Sequence, residues 1–170
     1  MEPPVSPPEV SDDAERLEGL AAIRCATLSL VQAAKYDLAI CSHELEPLLY
    51  NEESFTEAVS HLARNGRHAR VRLLIREHDT LVRQGHRLLR LAQQIPSHIE
   101  IRRIAPEHRH SMHGFLIADD GVFYQPQTTV YEARVSMHDR RWARSLSAEF
   151  QRLWDYSIDD PHLRRLAFVG

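Results

Sequence analysis

The strongest constraint on this chain is an alternation. Three short strand-like segments, Tyr36–Cys41, Arg70–Ile75 and Ile99–Ile104 (the last with partial alternation), are separated by stretches whose apolar residues recur at helical spacing. A strand–helix–strand repeat returns to the same sheet by a right-handed crossover, which lays its strands parallel. The first helix is expected from Asp12 or Asp13, because an aspartate accepts from the free amides of a first turn. Leu17, Leu20, Ala21, Leu28 and Val31 then share a face. The second is expected from a capping box of Ser54 and Glu57, with a stripe of Phe55, Ala58, Val59, Leu62 and Ala63 ending at Asn65-Gly66. The third runs from about Thr80 to Ile95 and is stopped by Pro96. It turns Leu81, Gly85, Leu88, Ala92 and Ile95 inward and Arg83, Arg87, Arg90 and Gln94 outward.

After Ile104 the pattern changes. Met112–Ala118 and Val122–Gln125 read as two strands meeting at Asp119-Asp-Gly121, where Asp-Gly supplies the positive φ angles of a tight hairpin. A further strand is expected around Thr129 to Val135. A long helix begins near Asp139, with Ala143, Leu146, Phe150, Leu153, Trp154 and Ser157 on one face. Asp160-Pro161 has the form of an N-cap followed by a first-turn proline. The expected fold is α/β, a mixed and mainly parallel sheet flanked by helices. At 170 residues, 43% of them hydrophobic, the chain can bury one core, assigned here to residues 12–170. Residues 1–11 hold four prolines and almost no large apolar side chain, so they read as a disordered tail or a linker.

Several function classes are excluded by composition. No apolar run approaches the roughly 18 residues of a membrane span. Cys25 and Cys41 cannot build a disulfide framework or a four-cysteine zinc site, and the start of the chain lacks the basic and apolar regions of a secretory signal. A cytoplasmic location is therefore expected. Of the 21 basic side chains, 20 are arginine, and Lys35 is the one lysine. Residues 64–110 gather eleven arginines against Glu77, Asp79, Glu100 and Glu107, an excess that attracts phosphate or nucleic acid. Nucleic acid is the weaker partner, since no aromatic residue in that stretch offers bases a stacking platform.

In a parallel sheet, ligands bind beyond the carboxyl ends of the strands. The first run delivers Ser42, His43 and Glu44 there, and the second Arg76, Glu77 and His78, with His86 on the following helix. Ser42, His43, Arg76 and His86 are the candidate ligand-binding residues, and guanidinium with imidazole and hydroxyl suits a small anion. His108, His110 and His113 are dense enough to consider a metal. Period-two geometry puts the first two together and the third opposite, so no metal is expected. No nucleotide-cradling glycine loop occurs, so no cofactor is expected either. Cys41, ending a buried strand, is expected to act as a small hydrophobe.

With that order of elements, His113-Gly-Phe-Leu-Ile-Ala-Asp-Asp120-Gly121 resembles one half of a phospholipase D-like domain. That superfamily carries His-x-Lys-x-x-x-x-Asp, in which the histidine attacks a phosphodiester and the lysine holds the phosphate. The resemblance makes His113 and Asp120 the candidate catalytic residues, but the lysine position is Phe115. A one-residue slip aligns Phe115-Leu-Ile-Ala-Asp119 equally well and puts Met112 at the histidine. Gly85-His-Arg-Leu-Leu-Arg-Leu-Ala92, Ile95-Pro-Ser97, Ile99-Glu-Ile-Arg102 and Leu45-Glu-Pro47 are similar to an uncharacterised bacterial domain family related to phospholipase D. Such domains occur alone or beside acetyltransferase domains, so an acetyltransferase-type partner domain is a further expectation. The resemblance implies a non-catalytic or cryptic domain that binds an anion or a protein partner. It also implies a homodimer, because single-motif members build one site from two chains. The alternatives are a divergent phosphodiesterase using His113, with Arg76 or Arg134 in place of the lysine, and arginine-dependent nucleic-acid binding.

Overall fold

A computed structural model of the chain describes residues 9–66, 68–105, 107 and 113–163. Strand β1 (Glu15–Glu18) leads into α1 (Leu20–Ala33) and β2 (Asp37–Ser42). One turn of helix, α2 (Pro47–Tyr50), precedes α3 (Glu53–Asn65) and β3 (Arg70–Ile75). Helices α4 (Asp79–Gln84) and α5 (Arg87–Gln94) lead to β4 (Ile99–Ile104). The antiparallel strands β5 (Gly114–Ala118), β6 (Gly121–Gln125) and β7 (Glu132–Ser136) follow. Helix α6 (Arg140–Asp155), a two-residue strand β8 (Ser157–Ile158) and a 3-10 turn (Pro161–Leu163) complete the described order.

These strands form one mixed eight-stranded sheet in the order β1-β7-β6-β5-β2-β3-β4-β8. Its parallel part is confined to β2, β3 and β4, where the helical crossovers lie, and every other pairing is antiparallel. Alternation along the strands gives the sheet two different faces. Leu38, Ile40, Val71, Leu73, Ile75, Ile99, Ile101, Leu116 and Phe123 pack with the buried residues of α1, α3 and α5 in one cluster. Ala39, Cys41, Leu74, Phe115, Ile117, Val122 and Tyr124 pack under Trp142, Leu146, Phe150 and Trp154 of α6 in another. On this second face the guanidinium of Arg72 lies 4.9 Å from the Phe150 ring and that of Arg102 lies 5.4 Å from Trp154. Part of the arginine excess is thus spent on stacking against α6.

Three local expectations are corrected. Glu15–Glu18 is an edge strand rather than a first helical turn. Its single pairing, with β7, leaves it half in solvent, and charge on such a strand discourages further pairing. The helix therefore starts later, on a stripe of Ile23, Thr27, Leu30 and Val31. Ser54 lies inside α3, whose cap residue Glu52 makes no side-chain cap bond, so the capping box does not form. The stretch from Thr80 to Ile95 is two helices. Gly85, at φ 75°, breaks it, and His86 caps the second piece by accepting from the Leu88 amide at 3.1 Å.

In the hairpin, the positive φ (52°) belongs to Asp119 and not to the glycine. Gly121 answers a different need: a Cβ there would collide with the Leu30 side chain and crowd the Met137 carbonyl. No described helix is long and apolar enough to cross a membrane.

Candidate functional site

The register brings chemistry to one end of the sheet. Ser42 pairs with Ile75, and Cys41 pairs with Phe115 across the other side of β2. The residues just beyond these pairs, His43, Arg76 and His113, therefore gather where β2 and β3 finish and β5 begins. Backbone bonds hold the edge together: the Arg76 amide donates to the His43 carbonyl at 2.9 Å, and so does the Glu77 amide.

Arg76 is the centre of this cluster. Its side chain is 2% exposed, and Nη2 donates to Cys41 Sγ at 3.9 Å. Its charge reaches His113 as well. Burial pushes the His113 imidazole down to about 4, Arg76 pushes it further the same way, and Glu149 on α6 opposes them. Burial pushes the Cys41 thiol up to about 11, with Arg76 opposing and Glu149 and Glu46 assisting. At neutral pH the guanidinium therefore faces a neutral thiol and a neutral imidazole. The His113 ring is bracketed by Phe115 and Tyr124, with centroids 5.5 Å and 5.7 Å away. Glu149 is itself held by Arg152 at 3.1 Å.

The β2–α2 loop supplies a second group of polar atoms. Ser42 Oγ accepts from the Leu45 amide at 3.0 Å and donates to Glu46 Oε2 at 2.7 Å. Burial raises the Glu46 carboxyl, and the Ser42 bond opposes that rise. Glu46 Oε1 and His43 Nδ1 are buried without a hydrogen-bond partner among the described residues. Leu45, wholly buried, adopts φ 54°, a left-handed conformation that costs a bulky residue of order 1–3 kcal/mol. His86 holds this turn in place. Its Nδ1 accepts from Leu88, so Nε2 carries the proton and donates to the Leu45 carbonyl at 2.9 Å. Burial lowers His86 to about 4, so it stays neutral in that role. Both of its ring nitrogens are committed to backbone.

The structure thus brings Ser42, His43, Arg76 and His113 to one sheet end and places His86 behind them as a strut. Asp120 is not there. It occupies the hairpin turn at the opposite end of β5, with its side chain 49% exposed and 3.9 Å from Arg140. Its neighbour Asp119 has the structural role at that end, accepting from the amides of Lys35, Tyr36 and Asp37 at 2.7, 3.1 and 2.9 Å. Phe115 is fully buried against Phe150, so the lysine position of the resembled motif is a core position here. Arg134 pairs with Arg16 across β1 and β7 and with Tyr124 across β6 and β7. His108 and His110 lie outside the described residues. Sequence reasoning missed Glu46 and Glu149. The signal for Glu149 was present, since it lies three residues from Leu146 and beside Phe150 on the inward side of α6.

The fold of this chain is the phospholipase D-like fold. It aligns with Nuc from Salmonella typhimurium, a phospholipase D family member, at TM-score 0.61 and 18% identity, covering 87% of this chain and 99% of that one. Phosphatidylserine synthase from Haemophilus influenzae Rd KW20 aligns at TM-score 0.62 and 14% identity, over 90% of this chain and 41% of the other. The archaeal chromatin protein TrmBL2, described with a novel mode of DNA binding, aligns at 0.63 and 15%, over 88% and 55%. The chain thus spans about half of TrmBL2 but nearly all of Nuc. At these identities the likeness carries the fold alone. By sequence, the chain belongs to the family described as a domain of unknown function, DUF7931, whose model matches residues 19–166. No curated protein matches it.

Proposed function

We propose that this domain binds a small phosphate-type anion at the Arg76–His113 cluster and does not turn it over. One observation carries the reading: a nearly inaccessible guanidinium acts on both the imidazole of His113 and the thiol of Cys41. A guanidinium offers a phosphate-type anion paired N–H donors in a fixed geometry. Turnover needs preorganised cations that stabilise charge as it develops. With Phe115 in the core, Arg76 is the cation nearest to that task.

A second reading, a divergent phosphodiesterase, draws on the same pair. The neutral imidazole is the nucleophilic form of His113, and Arg76 stands beside it as the lysine would. Calorimetric titration with inorganic phosphate, alongside hydrolysis of bis(4-nitrophenyl) phosphate, separates the readings. Anion binding predicts phosphate uptake that Arg76→Gln abolishes, with no hydrolysis above background. Hydrolysis that His113→Ala removes would replace the binding reading with the catalytic one, and no phosphate binding by the folded wild type would end it. Nucleic-acid binding has less support, because Arg72, Arg102 and Arg103 are drawn into stacking and ion pairs within the fold. A homodimer belongs to the proposal through the family likeness, and sedimentation of the intact chain tests it.

A further inference from the structure

At the β1 edge of the sheet, β6 stops short of its neighbour. Strand β7 pairs with β1 through Glu132, Ala133, Arg134 and Val135, but with β6 only through Arg134, Val135 and Ser136. Glu132 and Ala133 therefore have a strand on one side only. Beyond Tyr124, β6 ends at Gln125, and Pro126 has no amide with which to continue the ladder. The opening left there is a cavity of about 220 Å³ lined by Arg16, Pro126, Glu132, Ala133 and Arg134. The Ala133 side chain packs on the opposite face, in the cluster with α1 and α3, so the charged lining is Arg16, Glu132 and Arg134. Alternation puts Glu132 and Arg134 on one face of β7. The register sets like charge against like: Arg16 lies opposite Arg134, and Glu18 opposite Glu132, an unfavourable cross-strand arrangement. Arg16 has an ion pair with Glu18 at 3.2 Å. Among the described residues, neither the half-buried Arg134 nor Glu132 makes a side-chain hydrogen bond or ion pair, with each other or elsewhere. One cavity thus holds a guanidinium and a carboxylate whose charges the fold leaves unanswered.

We propose that this cavity binds a small apolar amino acid, with its carboxylate on Arg134 and its ammonium on Glu132. The site is separate from the Arg76–His113 cluster, and the inference does not rest on the function proposed for that cluster. A guanidinium presents paired, coplanar N–H donors that match a carboxylate. Arg16 adds a second cation in the same cross-strand row, and its opposition to Arg134 turns favourable once an anion lies between them. Glu132 selects a zwitterion over a simple anion. It repels a second negative charge in the cavity and holds an ammonium, and Glu18 across the pair makes that row more negative still. Neighbouring positions on one face of a strand are about 7 Å apart, a gap that two long side chains close onto the adjoining charges of an α-amino acid. Pro126 supplies an apolar wall for the ligand's side chain. The cavity is also smaller than the roughly 300–1,000 Å³ of sites for drug-sized molecules, which fits a ligand of this size.

The test follows the Arg134 Nε–Hε signal by NMR in the isotope-labelled full chain, the signal being assigned by its loss in Arg134→Gln. Titration with L-alanine or L-leucine should shift it saturably. Propionate and 4-methylpentanoate, the same molecules without the amino group, should bind about tenfold or more weakly, because Glu132 then gains no charged donor. Glu132→Gln should remove that preference, and Arg76→Gln should leave the amino-acid response unchanged. No saturable shift with either amino acid would overturn the proposal. So would equal binding of the deaminated acids to wild type, or loss of the response in Arg76→Gln, which would make Arg134 a distant reporter of the other cluster. Arg134→Lys provides the assignment if Arg134→Gln fails to fold.

Discussion

The two ends of β5 do opposite work. At its Asp119 end, a carboxylate accepts three consecutive backbone amides and fixes the start of β2 to the hairpin turn. At its His113 end, a buried imidazole has the Arg76 guanidinium and the Glu149 carboxyl in electrostatic reach. One end satisfies its polar groups with backbone, as a structural element must. The other concentrates side chains whose protonation is displaced by burial, as binding and catalytic sites do. The hairpin is held through backbone amides at the Asp119 end, a role that needs no lysine at position 115. The Asp119 end holds the hairpin, and the His113 end is free to diverge.

The largest expected effect breaks the symmetry between motif and site. Phe115→Lys restores the motif in sequence but places an ammonium where Phe115 now packs on Phe150, in a fully buried position. It should destabilise the fold by about 4 kcal/mol in denaturant unfolding. A stable variant with gained phosphodiesterase activity would show that the position still faces a ligand.

The next effect sharpens the contrast through pH. His113 and His86 both stay neutral in the fold down to about 4. In the unfolded chain histidine protonates near 6.5, so the unfolded state binds more protons between these values. Stability should be complete above about pH 6.5 and fall as pH drops towards 4, by at most about 3 kcal/mol per histidine. Denaturant midpoints measured across that range check it, and replacing His113 with Asn should flatten part of the slope.

The smallest effect concerns the Asp119 end. Asp119→Ala should cost about 2 kcal/mol by leaving three amides without their acceptor. Phosphate affinity, measured on the fraction that remains folded, should not change.

Much of this was legible from the chain. The segments ending at Cys41, Ile75 and Ile104 are all strands; β2 is buried along nearly its whole length, as a central strand must be, while β4 sets its charged residues on the exposed or half-buried positions. The helix from Asp139 announced itself through one apolar face and a capping aspartate, which accepts from the Trp142 amide at 3.0 Å. What escaped was set by tertiary context. Glu15–Glu18 carries no strand alternation because an edge strand needs none, and Leu17 happens to fall in register with a helical stripe. Gly85 broke a helix that its neighbours alone would have continued. At the site, strand order predicted that Ser42, His43 and Arg76 would share an end. Only the antiparallel placement of β5 beside β2 brings His113 to them, and that pairing joins residues more than seventy positions apart.

If Arg76 and His113 form one anion site, as proposed, the His113 ring reports on it directly. NMR titration of that ring should give a midpoint near 4 in the wild type. The midpoint should move upward in Arg76→Gln, and upward again when saturating inorganic phosphate is added to the wild type, because each change makes the site less positive. A midpoint that neither the substitution nor phosphate moves would contradict the account.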